Sequence, residues 1–300
     1  MFSNRYTSRR LTRYYPILLV IPAVIVVLIL AIYPLLLSIQ ISFYRWIYGT
    51  PLSQAEYVGL ENYIWVFLGG DLLLLTSLKL TIIYTLFQVG GSFIIGFLIA
   101  ILLDKLPRGG SVFTSFFIIP MVIMPAVAGL MWRLYFTYDG FVNYFLESIF
   151  RIKMNWFSTD YALTALSIAS IWVTAPFFIL VFYAALTSIP QHLIEAARVD
   201  GATEWTILKT IKLPMLKPII YVTLIIRIIE AIRSFDLPYV TFGGGPGSAT
   251  EVLALHINRV GFQYRQLGAG SVLSLFLILL VILLCILLIK KLKESWGAYS

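Results

Sequence analysis

Arg227, Glu230, Arg233 and Asp236 recur at every third position with alternating sign, inside a stretch that is otherwise apolar. On a helix, steps of three bring side chains within reach of one another, so this series can neutralise itself along one face. Phe235 and Tyr239 stand beside it. Such a face can border a wet pathway and hold a polar solute, meeting hydroxyls with ionic groups and ring faces with aromatic ones. It can equally be a self-neutralising ladder that only holds two helices together. Covalent chemistry finds no support. His192 and His256 are the two histidines, and no His-Glu-x-x-His spacing exists. Cys285 is the single cysteine and has no partner for a disulfide or a metal site. "FGGGPGSAT", which contains Gly243, Gly244, Gly245 and Pro246, lacks the Gly-Lys-Ser/Thr ending of a phosphate-binding loop. Met121, Met124 and Met131 read as packing residues.

The elements that must position these groups follow from composition. Hydrophobic residues make up 60% of the chain, charged residues 12%, and mean hydropathy is +0.92. That leaves too little polar surface to clothe a water-soluble globule, so lipid is the expected solvent and an all-α integral membrane protein the expected class. About 20 apolar residues cross the hydrocarbon core. Six segments fit: 17–39, 80–103, 112–132, 162–186, 215–235 and 272–289. They make up a transmembrane domain over 16–290, between a segment 1–15 and a tail 290–300. Gly90, Gly91 and Gly96 in the second span allow close helix approach. Pro120 and Pro125 in the third are tolerated where neighbouring helices satisfy the freed carbonyls. No small-residue cleavage site ends the first span, which is read as retained.

Lys and Arg placement gives the orientation. Cytoplasmic termini would put Arg5, Arg9, Arg10, Arg13, Lys105, Arg108, Arg198, Lys209, Lys212, Lys217, Lys290, Lys291 and Lys293 inside. Arg45, Lys79, Arg133, Arg151, Lys153, Arg259 and Arg265 would lie outside, on longer loops. The inside excess predicts that both termini are cytoplasmic, and it accounts for the formal charge of +8 without nucleic acid. Arg227, Glu230 and Arg233 then lie within the fifth span and Asp236 just past it, and an unpaired ion inside the span costs at least about 2.5–3.5 kcal/mol.

The longest inside connection, 190–214, contains "EAARVDGATEWTILKTIKLP" at 195–214. Ile194, Ala197, Gly201, Trp205 and Leu208 recur at helical spacing, which predicts one apolar face. Asp200-Gly201 is a turn signal, so two short helices joined at a bend are expected. Periodicity alone fits a helix lying on lipid headgroups as well as one that docks on a protein.

The fixed spacing Glu195-Ala196-Ala197, Gly201, Ile211 and Leu213-Pro214 resembles the Glu-Ala-Ala loop of permease subunits of binding-protein-dependent ABC importers. Asp200-Gly201-Ala202 resembles the carbohydrate branch, although Leu208 stands where that branch usually has Phe. "IWVTAPFFILVFYAALTSIPQHLIEAARVDGA" (171–202), "FDLPYVTFGGGPGSAT" (235–250), "GLMWRLYF" with "DGFVNYFL" (129–146) and "YVGLENY" (57–63) are similar to sugar-importer permeases. The resemblance implies a type I importer permease fold in the cell membrane. It implies that Glu195, Ala196, Ala197, Arg198, Asp200, Gly201 and Ala202 dock on a cytoplasmic ATPase. Glu195 would supply the charged contact, the two alanines the close packing and Gly201 the bend. It makes Gly243, Gly244, Gly245 and Pro246 part of an outer gate. It also implies a second homologous permease, two ATPase subunits carrying ATP and magnesium, an extracytoplasmic solute-binding protein and a sugar cargo. Three other readings stay open: a permease for glycerol phosphate or another polar solute, an ion-coupled secondary transporter, and a polytopic membrane enzyme.

Overall fold

The computed structural model describes residues 19–106 and 110–297. Helix α1 (Leu19–Ile41) is followed by a hairpin of β1 (Tyr44–Arg45) and β2 (Glu56–Tyr57), then α2 (Glu61–Phe67). The long α3 (Leu74–Asp104) precedes α4 (Gly110–Val122), α5 (Pro125–Tyr135), the short α6 (Phe141–Phe150) and α7 (Ala162–Thr187). Helix α8 (Gln191–Val199) is separated by a bend from α9 (Glu204–Ile207). A π turn (Leu208–Lys212) carries α9 without a break into α10 (Leu213–Ile232). The chain ends with α11 (Asp236–Thr241), α12 (Leu253–Asn258) and α13 (Leu267–Gly297).

Two compact units share the chain: Met1–Asp71 with Arg259–Phe276, and Leu72–Asn258 with Leu277–Ser300. In the first, Arg45 reaches Glu56 across the strand pair at 3.0 Å and also pairs with Glu61. Asn62 donates to the carbonyls of Ser42 and Tyr44 at 2.8 and 3.0 Å. The returning segment is stitched on by Tyr48 N–H to the Arg265 carbonyl and Leu267 N–H to the Trp46 carbonyl, both 2.9 Å.

The second unit is organised by α3 against α7. In lipid the apolar effect does not drive two helices together, so close van der Waals packing and hydrogen bonds must. Gly91 faces Ile171, and at Gly96 the α7 backbone comes so near that an added Cβ would sit 3.1 Å from the Ala175 carbonyl oxygen. Hydroxyl pairs cross the same seam: Ser92 with Thr174 at 2.5 Å and Tyr84 with Ser170 at 2.7 Å. One end of the seam is an aromatic cluster of Phe93, Phe97, Phe178 and Phe182 with ring centroids 5.5–5.9 Å apart, joined by Ile194, Ile207 and Leu216. Leu86 and Phe116 point outward, 67% and 66% exposed, a disposition that suits lipid rather than water.

The helices differ from the expected spans in three places. Among the described residues, four helices are long and apolar enough to cross a membrane, five if the bent pair Phe113–Val122 and Pro125–Tyr135 counts as one span. That pair, expected as a single rod over 112–132, turns through 94°. Pro125 forces the cause: Met124 before it is pushed out of the helical region to ψ 135°, and Pro125 opens α5. The fifth segment, which carries Lys217, Arg227 and Glu230, is not among those apolar helices; its helix runs on from Glu204 through the π turn and stops at Ile232. Continuing it would set the Pro238 ring against the Ser234 carbonyl, whereas a new start at Asp236 places Pro238 in a first turn, where no N–H is needed. The segment 1–15 with Arg5, Arg9, Arg10 and Arg13, as well as Arg108 and the last three residues of the tail, lie outside the described residues.

Candidate functional site

A cavity of about 520 Å³ opens between α3, α7 and the end of α10. Arg227, Glu230, Arg233, Phe235 and Asp236 all line it, together with Tyr84, Gln88, Ser170 and Thr174. Of the charged series, Arg227 and Glu230 form an ion pair. The alternation does not continue as a ladder: Arg233 caps α10 and Asp236 starts α11, so the break turns their side chains off the common helical face. No ion pair joins either to the series among the described residues. Arg227 is held on its other side by the Phe177 ring, with the guanidinium carbon 4.8 Å from the centroid, and it is 13% exposed against 56% for Glu230. Phe235 stacks on Tyr239 at 5.1 Å and 19°; Phe235 lines the cavity and Tyr239 does not.

The polar wall residues Tyr84, Gln88, Ser170, Thr174 and Ser234 escaped the sequence reading. Tyr84 shares its hydroxyl with Ser170 at 2.7 Å and Ser234 at 3.3 Å. Gln88 Oε1 is buried without a hydrogen-bond partner, which is costly unless something else in the cavity supplies a donor. A signal was present: Ser77, Thr81, Tyr84, Gln88 and Ser92 recur every three or four residues, a polar stripe down an apolar helix.

The 195–202 segment is built around one backbone angle. Gly201 has φ +81° and nothing within 4 Å of an added Cβ, so conformation rather than space explains the glycine. Ala202 N–H bonds back to the Ala197 carbonyl at 2.9 Å, Thr203 Oγ1 accepts from Thr206 N–H at 3.2 Å to start α9, and Arg198 pairs with Glu204 at 2.8 Å across the bend. Ile194 is buried, and Ala197, Ala202 and Ile211 pack against the same hydrophobic core as Phe93 and Phe97. The expected single apolar face stops at the bend. Gly201 resets the helix direction, so Ile207 becomes the inward residue and Trp205 is left 70% exposed. Glu195, Ala196, Asp200 and Val199 are exposed on the outward face, so the two alanines part company, one packed and one presented.

Gly243 and Gly244 have φ +60° and +90°, and Gly245–Pro246 is cis. Thr250 closes this turn, its N–H on the Gly244 carbonyl at 3.1 Å and its hydroxyl on the Gly245 carbonyl at 2.8 Å. The turn does not line the cavity. His192 is exposed on α8, and His256 is buried 3.6 Å from Glu251.

Residues 92–294 match the family described as the inner membrane component of binding-protein-dependent transport systems. The chain is 34% identical over 278 residues to the trehalose/maltose transport system permease protein of Thermococcus litoralis, covering 91% of this chain and 92% of that one. It is 36% identical over 261 residues to the sulfoquinovosyl glycerol transport system permease protein of Agrobacterium fabrum, covering 86% and 83%. Its fold is similar to that of a chain from a bacterial ABC transporter involved in import of the acidic polysaccharide alginate, with TM-score 0.82 at 20% identity, covering 96% and 98%.

Proposed function

The chain belongs to the family of inner membrane components of binding-protein-dependent transport systems, and from that premise we propose that it is the translocating permease subunit of an ATP-driven importer for a di- or oligosaccharide. The observation that carries the reading is the unbroken helical run from Glu204 to Ile232, which joins the bend at Gly201 to the cavity at Arg227. At about 1.5 Å per residue the loop's displacement arrives some 35 Å away. Glu195, Ala196 and the exposed Val199 and Trp205 form the face that seats on the ATPase. When the paired ATPase subunits close, the seat moves, α9 and α10 carry the motion, and the cavity walls change from inward-facing to outward-facing. Cargo delivered by an extracytoplasmic binding protein then enters between Phe235, Gln88 and the Arg227–Glu230 pair. A second, homologous permease supplies the opposite wall. ATP and magnesium are held by the ATPase subunits, and this chain does no covalent chemistry. The topology has both termini cytoplasmic, and the glycine turn at Gly243 to Pro246 belongs to the outer gate.

A second cargo, an anionic solute such as a glycerol phosphate, is favoured by Arg227 and Arg233 both reaching the cavity. Against it, Glu230 already neutralises Arg227. Competition of uptake by neutral and by phosphorylated cargo separates the two.

The docking test is co-purification of this chain with its ATPase and second permease, as wild type and as Glu195→Lys/Gly201→Trp. The expected result is loss of the ATPase from the variant while the second permease stays. Full retention by the variant, or no association with wild type, overturns the reading and returns the loop to the headgroup surface.

A further inference from the structure

Lys212, at the end of the π turn, places its ammonium 2.5 Å from the carboxylate of Asp104, the last residue of α3. The two residues are 108 apart in sequence, and their side chains are 11% and 15% exposed. A lysine and an aspartate so covered are held in one geometry, unlike a surface pair whose long side chains wander. Close by in sequence on both sides, the same helices pack together: Ala100 and Ile101 from α3 share a cluster with Ile207, Ile211 and Leu216. The turn that presents Lys212 is itself specialised. It is closed by Leu213 N–H on the Leu208 carbonyl, which adds one residue to the helix and sets the angle at which Lys212 leaves it.

Both partners stand at the near ends of rods whose far parts line the cavity. From Asp104, α3 runs to Gln88 and Tyr84; from Lys212, α10 runs to Arg227 and Glu230. Each distance is on the order of 22–30 Å at the rise of an α-helix. Helices are stiff along their axes, so a clamp between the near ends makes the two walls respond to one displacement. A packed pair of this kind transmits a shift only if it has discrete partners to hold, and a charge pair shielded from water supplies them.

We propose that Asp104 and Lys212 are positioning residues for transport: their ion pair clamps α3 to the helix leaving the docking loop, so that loop motion moves both cavity walls together. This inference rests on the importer reading above, and its test keeps the two apart. The assembled complex, with ATPase, second permease and binding protein, is reconstituted in vesicles for wild type, Asp104→Asn, Lys212→Met, Lys212→Arg and the exchange Asp104→Lys/Lys212→Asp. ATPase retention, ATP hydrolysis stimulated by loaded binding protein, and cargo taken up per ATP are measured. The neutral variants keep the ATPase subunit and hydrolyse ATP, but uptake per ATP falls about tenfold, within the range of coupling between linked sites. Lys212→Arg stays near wild type, and the exchange recovers most of the loss, the signature of a direct pair. Three results overturn the clamp: neutral variants with wild-type uptake per ATP, an exchange no better than either neutral variant, or loss of the ATPase subunit from the neutral variants, which would make the pair part of the docking surface. A wild-type complex that neither binds an ATPase nor imports with ATP sinks the importer reading itself.

Discussion

The Arg227 guanidinium lies over the Phe177 ring at 4.8 Å while Glu230 takes its charge from the other side. A cation at the wall of a membrane cavity is thus held by an aromatic face that costs little to desolvate and by one carboxylate that remains half open to the cavity. Removing the ring and removing the cation leave different defects. Phe177→Leu deletes an attraction of about 0.5–2 kcal/mol and is expected to slow uptake severalfold with the complex intact. Arg227→Met strands Glu230 and is expected to slow it by about two orders of magnitude, in line with the cost of an unpaired charge in a membrane. Initial uptake rates in vesicles, with complex yield as a control, check both; equal effects of the two changes would refute the division of labour.

The seam between α3 and α7 makes a sharper structural prediction, because two glycines on one helix differ in surroundings. A Cβ at Gly96 would press on Phe178 and stand 3.1 Å from the Ala175 carbonyl oxygen and the Ile179 nitrogen; at Gly90 it would meet nothing within 4 Å. Gly96→Val is expected to cost about 1–3 kcal/mol by overpacking. Gly90→Ala is expected to be neutral or to gain up to about 1 kcal/mol through reduced backbone freedom. Thermal unfolding of the purified complex in detergent distinguishes them, and a Gly96 variant as stable as Gly90→Ala would mean the helices are not in contact there.

Asn143 is a third point of leverage, outside the cavity. Its side chain is fully buried and makes four useful bonds: Nδ2 to the Tyr138 carbonyl at 3.0 Å and the Met154 carbonyl at 2.8 Å, and Oδ1 from Met154 N–H at 3.0 Å and Trp156 Nε1–H at 3.1 Å. Asn143→Ala orphans several buried groups at once, and about 2–4 kcal/mol of stability is expected to be lost. Melting by Trp fluorescence and protease cleavage between residues 137 and 156 report it; unchanged cleavage would show that the segment is held by other contacts.

What could be read from sequence divides by the range of the interaction. The apolar runs gave the helices, and the fixed spacing of Glu195, Gly201 and Pro214 gave the loop, because both signals are local. Pro125 announces the 94° turn at Met124, but hydropathy sums residues and ignores direction, so a proline tolerated within a span and one that bends it read alike. Trp205 was assigned inward because a single helical period was carried through Gly201, although a glycine at φ +81° restarts the count. Tyr84, Gln88 and Ser170 were missed because polar residues in an apolar run lower an average rather than announce a face. The contact between Asp104 and Lys212 has no local signal at all; only the packing of α3 beside α10 brings them together.

The bend offers the cleanest separation of conformation from space. Because Gly201 has φ +81° with open space where a side chain would go, the strain of a substitution depends on backbone preference alone. Gly201→Ala is expected to cost about 1–2 kcal/mol, the penalty of an L-residue in the left-handed region. Gly201→Asn, larger but more tolerant of that region, is expected to cost less. On the importer reading, ATPase retention and uptake follow the same order: wild type, then Asn, then Ala. A quantitative pull-down across the three proteins decides it. If Asn proves worse than Ala, the partner surface rather than the backbone angle selects glycine, and the exposed face of Val199 and Trp205 must approach this position closely when the complex assembles.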